Sequence, residues 1–188
     1  MTGRVLPASF YERATLVVAR SLLGQYLVRE TATGLHAGRI IEVEAYVGPQ
    51  DRACHASKGR TPRTDVMFGP PGRAYVYLIY GMYHCLNVVT ERLGYPAAVL
   101  IRAVEHESGL LDGPGRVCRF LEINRDLNCH DLTIGQKLWI EDRGERIRGA
   151  RVGAFPRIGV AYAGAWAAKP WRFRVQATPA RLNRSSRS

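Results

Sequence analysis

The segment Gly38–Tyr46 predicts a β-strand whose two faces differ in chemistry, so the fold must place them in different surroundings. Successive side chains of an extended chain point to opposite sides. One face carries two carboxylates and an aromatic ring: Glu42, Glu44 and Tyr46. The other face is apolar: Ile41, Val43 and Ala45. Carboxylates fit poorly into a hydrophobic core, so the polar face predicts the wall of a groove. This face ends where Gly48-Pro49 begins a loop.

The remaining patterns predict an α+β fold with a mostly antiparallel, curved sheet and flanking short helices. A capping box, with Ser9 as N-cap and Glu12 three residues later, predicts an N-terminal helix that ends at Gly24. A second helix is predicted over 113–121, with Pro114 in its first turn. Runs of β-prone residues predict further strands: Gln25–Arg29, Ala74–Tyr80, Tyr83–Thr90, Ala97–Val104, Leu138–Glu141, Arg157–Tyr162 and Trp171–Gln176.

The length of 188 residues suits one compact domain. We expect it at 1–179, followed by a basic polar tail at 180–188 that frays. The four cysteines form no CxxC pair and are expected to be reduced thiols. We find no apolar run of membrane-spanning length and no signal peptide. The sequence therefore predicts a cytoplasmic protein, nucleoid-associated if prokaryotic, with no membrane partner.

The charge balance favours a polyanionic partner. Lysine and arginine together number 27 against 16 acidic residues, which gives a formal net charge of +11. Nucleic acid is the first polyanion to consider for such a protein. The alternative is that the charge serves only solubility, and composition alone does not decide between the two.

A cluster of tyrosines and a lone arginine could form a binding surface. Four tyrosines lie within nine residues: Tyr75, Tyr77, Tyr80 and Tyr83. They are either half-buried strand aromatics or a platform that stacks on unpaired bases. Arg102 lies in an otherwise apolar strand, where an arginine is rarely left unpaired. It pairs either with Glu44 or a ligand phosphate, or with Glu42 in a structural ion pair.

The motif Gly113-Pro114-Gly115-Arg116 offers backbone amides and an arginine to a phosphate, although an ordinary glycine-rich turn explains it as well. We find no HExxH motif, zinc-deaminase signature, GxSxG elbow, P-loop or dinucleotide fingerprint. By elimination we expect a site built from carboxylate, aromatic and arginine side chains, with no metal and no cofactor.

Long motifs in the chain resemble the alkyladenine (3-methyladenine) DNA glycosylase family of the non-helix-hairpin-helix type. The segments that carry the resemblance are 16–24, 42–55, 61–72, 75–88, 99–105, 113–118, 157–164 and 169–173. The resemblance implies a monofunctional hydrolytic enzyme without lyase activity, expected to act as a monomer on double-stranded DNA. Such an enzyme flips an alkylated or deaminated purine out of the duplex and hydrolyses its N-glycosidic bond, leaving an abasic site.

The resemblance also assigns roles to residues. Glu44 matches the general base that activates water, and Arg102 matches the partner of that water and of the neighbouring phosphate. The walls that contact the flipped base match Tyr46, His55 and Tyr77. Asn87 matches a residue that excludes guanine through its 2-amino group, and Tyr80 matches the side chain that enters the minor groove. Arg60 and Arg116 match positions that contact the DNA backbone. Cys54 departs from the pattern, because a small residue is usual there.

Two alternatives from other classes are weaker. A non-catalytic nucleic-acid-binding module would use Tyr46, Tyr77 and Tyr80 for stacking. It leaves Glu44 unexplained, since a carboxylate that faces a polyanion weakens binding. A zinc-dependent base deaminase lacks its metal ligands.

Overall fold

The described residues of this computed structural model, 3–147 and 151–176, contain ten β-strands and three short α-helices. The strands are β1 (Arg4–Val5), β2 (Tyr26–Thr31), β3 (Gly34–Tyr46), β4 (Ala74–Ile79), β5 (Tyr83–Thr90), β6 (Ala97–His106), β7 (Gly109–Asp112), β8 (Leu138–Asp142), β9 (Val152–Phe155) and β10 (Arg172–Val175). The helices are α1 (Ala8–Tyr11), α2 (Thr15–Leu22) and α3 (Pro114–Phe120). All described strand pairs are antiparallel and belong to one curled sheet, so the predicted α+β class is confirmed.

Strand β3 organises this sheet because it pairs along both of its edges. One edge pairs with β6; the other pairs first with β2 and then with β10. The main strand order is β1-β8-β2-β3-β6-β5-β4. Pairing with β10 brings the last described strand beside the polar end of β3, where Arg172 lies opposite Glu44.

The two faces of the sheet have different partners. The main hydrophobic core lies between one face and the helices α2 and α3, and includes Val43 and Ala45 of β3. The ladder between β3 and β6 is irregular around Glu42. The alternation shifts there, so that Ile40 and Val43, three residues apart, both contact the core. The opposite face carries the side chains of the cavity described below.

Two sequence predictions fail at the N-terminus and near the C-terminus. The capping box is wrong: α1 follows Pro7 without a side-chain cap, and Ala14 is the N-cap of α2. A distant carboxylate replaces the predicted local cap, because both the amide and the hydroxyl of Thr15 donate to Glu91, at 2.7 and 2.9 Å. Gly24 follows the second helix with a φ of 89°, as predicted for a left-handed residue.

The predicted strand Arg157–Tyr162 is also wrong, since this segment leads into a 3₁₀ helix at Ala161–Trp166. Its backbone is held by side-chain contacts instead of a ladder: the amide of Ile158 donates to the Glu44 carboxylate. The short strands β1, β7 and β9 are missing from the prediction. The predicted domain end at 179 and the tail at 180–188 lie outside the described residues.

The turn between β4 and β5 holds an aromatic residue in an unfavourable backbone conformation. Tyr80 has a φ of 52° and the following Gly81 a φ of 69°. The amide of Met82 closes the turn on the carbonyl oxygen of Ile79, at 3.1 Å. Positive φ suits glycine and asparagine but is costly for a bulky residue. The Tyr80 side chain is 83% exposed, so little local packing compensates for this strain.

Replacing Tyr80 by asparagine should therefore stabilise the protein. We expect Tyr80→Asn to raise the free energy of unfolding by about 1 kcal/mol, because asparagine tolerates the left-handed region. Urea denaturation measures the change. Met82→Asn is the matched control, since Met82 is 69% exposed in the same turn but has no positive φ. Equal shifts for the two variants would contradict the role of backbone strain.

Candidate active site

A cavity of about 320 Å³ opens on the sheet face away from the main core. Four neighbouring strands supply its floor, and the loop segments 53–67 and 158–162 supply its walls. Seven of the nine predicted site residues line it: Glu44, Tyr46, His55, Tyr77, Tyr80, Asn87 and Arg102. The sheet brings five of them together, because each strand directs alternate side chains to this face. His55 comes from the segment after β3, and Tyr80 from the turn between β4 and β5. The volume is in the range of small-ligand pockets in proteins.

The Glu44 carboxylate is fully buried and bound on both oxygens. Oε1 accepts a hydrogen bond from the amide of Ile158 at 2.8 Å, and Oε2 accepts one from the Tyr46 hydroxyl at 2.8 Å. The Arg102 guanidinium lies 3.4 Å from Oε1. Burial raises the pKa of Glu44 above its ordinary value, and these three partners together with Arg157 oppose the rise. The result is a carboxylate that is more basic than one in water.

Arg102 contacts both of the carboxylates between which the sequence left it undecided. Its Nε lies 3.3 Å from Glu42, and its Nη1 contacts Glu44. Glu42 does not line the cavity, so the prediction that both carboxylates form the groove wall is wrong for this residue. It is buried in a cluster of arginines instead, with Arg172 at 2.9 Å and Arg174 at 3.0 Å. Glu42 is thus neutralised and Glu44 is left as the carboxylate of the cavity.

Aromatic rings form the side walls. The imidazole of His55 and the ring of Tyr77 meet edge to face with centroids 4.7 Å apart, and Tyr75 lies 5.3 Å from Tyr77. His55 Nδ1 is 2.9 Å from the Tyr75 hydroxyl. Burial first, and then the charge of Arg63, lower the pKa of His55 to about 4. The imidazole is therefore neutral at pH 7, and these walls present ring surface without a histidine charge.

Asn87 lies on the cavity floor, anchored to the neighbouring strand. Its Nδ2 donates to the carbonyl oxygen of Tyr75 at 3.1 Å, and the residue is 3% exposed. An asparagine in this place can either shape the pocket or satisfy a backbone group. The geometry includes both features, because the bonded side chain also lines the cavity.

The two predicted backbone-contacting arginines lie outside the cavity. Arg60 is exposed and pairs with Asp65 at 2.6 Å. Arg116 is exposed on the first turn of α3, two residues after Pro114, which does line the cavity. Their roles stay predictions.

Several residues of the site are missing from the sequence-based set. Arg63, Tyr75 and Tyr162 line the cavity, as do the residues 158–160. Tyr75 shares a strand face with Tyr77, which is a usable signal. Arg63 and the segment 158–160 carry no such signal, since they arrive from loops.

None of the described helices is long and apolar enough to cross a membrane. Over residues 3–147 and 151–176, no group of three or more His, Cys, Asp or Glu side chains is placed to hold a metal ion. The chemistry available in the described cavity is that of a basic carboxylate beside a guanidinium and aromatic rings.

Comparison with known proteins identifies the family. A family model described as methylpurine-DNA glycosylase matches residues 9–179. A protein of Methanocella arvoryzae named "Putative 3-methyladenine DNA glycosylase" is 51% identical over 93% of this chain and 94% of its own length. Proteins of the same name from Myxococcus xanthus and Legionella pneumophila (strain Corby) are 54% and 49% identical, over 91% and 94% of this chain and 90% and 97% of their own lengths. The resemblance found in the motifs is confirmed, and the chain belongs to the methylpurine-DNA glycosylase family of enzymes that act on alkylated bases in DNA.

Proposed function

We propose that the protein is a monofunctional hydrolytic DNA glycosylase that flips alkylated or deaminated purines out of duplex DNA and leaves an abasic site. The buried Glu44 carboxylate in the wall of an aromatic cavity is the observation that carries this proposal. Its raised pKa suits a general base, because proton acceptance improves as the pKa approaches the working pH.

The cavity suits a cationic base. A purine methylated at N3 or N7 carries a positive charge and is a good leaving group. Electron-rich rings attract such a cation, and Tyr46 and Tyr77 supply two of them. The neutral His55 adds no repulsion at pH 7, because its pKa is about 4.

The reaction needs one water molecule and no covalent protein intermediate. Water adds to C1′ of the sugar, the N-glycosidic bond breaks, the base leaves with the bonding electrons, and the water proton passes to Glu44. The same carboxylate stabilises the positive charge that develops on the sugar, and Arg102 holds it in place. A lyase reaction would begin with an amine attacking the sugar. The lysines of the chain, Lys58, Lys137 and Lys169, do not line the cavity, so none of them is placed there for such an attack.

Base flipping is supported by the turn that carries Tyr80. Strain in a backbone is often retained at functional sites, and Tyr80 combines such strain with an exposed ring at the cavity. Side chains that enter a base stack offset the lost stacking of a flipped nucleotide. The net charge of +11 attracts the DNA backbone. We propose that a monomer performs these steps in the cytoplasm, on DNA of the nucleoid if the source is prokaryotic.

Abasic-site formation tests the function. Methylated duplex DNA is incubated with the protein in the presence of EDTA, then treated with alkali, and strand breaks are counted. Breaks that appear only after alkali indicate hydrolysis without lyase activity. Tight DNA binding without breaks would favour the non-catalytic binding module instead.

Glu44→Gln should abolish most of the activity while preserving DNA binding. The amide keeps the shape of the side chain but accepts no proton, a loss of about 10²–10⁴-fold in the single-turnover rate. For the wild-type protein we expect the rate to fall as the pH drops through the raised pKa of Glu44, because the carboxylate becomes protonated. Glu42→Gln is the control and should reduce the rate much less. A near-normal rate for Glu44→Gln would eliminate it as the base.

Asn87→Ala should relax the discrimination against guanine. Stacking cannot distinguish purines, since each has the same kind of ring face, so a repulsive contact at the C2 edge is needed. We expect excision of 7-methylguanine to rise relative to that of 3-methyladenine. Matched single-turnover rates on the two lesions measure the ratio. If Asn87→Ala lowers both rates but leaves the ratio of the two rates unchanged, the hydrogen bond to Tyr75 is the only role of Asn87.

Arg116→Gln should reduce the salt dependence of DNA binding. A phosphate contact contributes about one unit to the slope of log affinity against log salt. Arg60→Gln should give a smaller change than Arg116→Gln, because Asp65 already partly neutralises this arginine. DNA affinities measured at several salt concentrations, from low to physiological, give the slope for each variant. A wild-type slope for Arg116→Gln would place this residue away from the DNA backbone.

A further inference from the structure

A buried ion pair behind the cavity, which takes no direct part in the proposed chemistry, joins two loops. The side chains of Asp51 and Arg157 are fully buried, and they meet fork to fork, with the Nη2–Oδ1 distance at 2.9 Å. The Asp51 carboxylate also accepts hydrogen bonds from the amides of Val47 and Ala53, at 3.2 and 3.1 Å. This pair therefore fixes the loop that follows β3.

The guanidinium extends these connections to three further parts of the fold. Its Nη1 donates to the carbonyl oxygen of Ala45 at 2.9 Å, and its Nη2 donates to that of Trp166 at 3.1 Å. It also lies over two rings, 4.9 Å from the centroid of Tyr46 and 5.1 Å from that of Trp171. The planar fork thus determines both the position and the direction of the segment that begins at Arg157.

That segment delivers a group to the reacting carboxylate. The residue after Arg157 is Ile158, and its amide donates to Glu44 Oε1 at 2.8 Å. Ile158 itself is 51% exposed, so packing of its own side chain does little to hold the amide in place. The Tyr46 ring, backed by the guanidinium, donates its hydroxyl to the other oxygen of Glu44. Of the three donors around the carboxylate, one therefore follows Arg157 directly in the chain and another lies against its guanidinium.

Stability alone explains such a pair poorly. Well-packed apolar residues often stabilise a protein as much as a buried ion pair does, because the pair must first be desolvated. A bidentate pair differs from apolar packing in its directional geometry. We propose that Asp51 and Arg157 are positioning residues, which hold the Ile158 amide on Glu44 and the Tyr46 ring against the cavity. This inference rests on the proposed role of Glu44 as the base.

Charge-conserving variants separate position from electrostatics. Arg157→Lys removes the two-pronged donor, and Asp51→Glu lengthens the carboxylate side chain by one methylene, so each variant keeps both charges but changes the geometry of the pair. The variants leave unchanged the other charged or titratable groups that face Glu44, which are Tyr46 on its own strand, Cys85 of β5 and Arg102 of β6. Glu42, which contacts Arg102, and Arg172, which contacts Glu42, are also unchanged. Any change in the Glu44 titration then reports the geometry. Arg143→Lys is the control, because it alters the Arg143–Glu141 pair away from the cavity.

NMR provides a measurement that does not depend on activity. In the wild type, the Ile158 amide shift should follow the titration of Glu44. In folded Arg157→Lys or Asp51→Glu we expect this coupling to disappear and the pKa of Glu44 to rise further, because a hydrogen bond to the charged form is lost. The single-turnover rate at pH 7 should fall about 10- to 100-fold, with its acid limb moved to higher pH. Arg143→Lys should change none of these.

The outcomes distinguish the two proposals. Retained coupling and an unchanged Glu44 pKa in either folded variant would overturn the positioning role, even if the rate falls. If Arg157→Lys does not fold, the milder Asp51→Glu decides. If the wild type releases no base from methylated DNA but the coupling is lost as expected in the variants, the proposed function fails and the placement of the Ile158 amide by the pair stands.

Discussion

Two carboxylates buried side by side on β3 impose the constraint on which the rest of the structure depends. Glu42 and Glu44 are 1% and 0% exposed. A buried carboxylate without partners costs several kcal/mol, so cations and amide donors must reach it from elsewhere in the chain. Arg102 arrives on β6, and β10 pairs with β3 so that Arg172 and Arg174 reach Glu42. The C-terminal segments return to β3 to meet this requirement.

The two carboxylates divide the available partners unequally, and the cavity follows from that division. Glu42 contacts three arginines and lies outside the cavity. Glu44 contacts one guanidinium, one amide and one phenol, and burial raises its pKa in spite of them. Neutral donors stabilise a carboxylate less than cations do. The arrangement therefore leaves Glu44 basic and in the lining of the cavity, although the two residues lie two positions apart on the same strand.

Three kinds of feature that weaken the fold are present around this cavity. The carboxylate of Glu44 is buried, Tyr80 has a positive φ, and exposed aromatic rings such as Tyr162, at 70% exposure, surround the opening. Each costs stability, and sites that bind or react commonly retain such costs. The main core on the other sheet face is apolar and tightly buried, which supplies the compensating stability.

The sequence by itself determined most of the longer strands and many of their side-chain faces, because alternation is a local property of an extended chain. The placement of Glu44 with Tyr46 and of Tyr75 with Tyr77 followed from it. The tertiary structure decided what no local pattern encodes. Asp51 and Arg157 are separated by 106 positions. The sequence pattern predicts a strand at Arg157–Tyr162, but the amide of Ile158 in this segment binds the Glu44 side chain. Such contacts form only when the sheet closes. A buried charge without a partner is costly, and the partner that satisfies it can come from any distance along the chain.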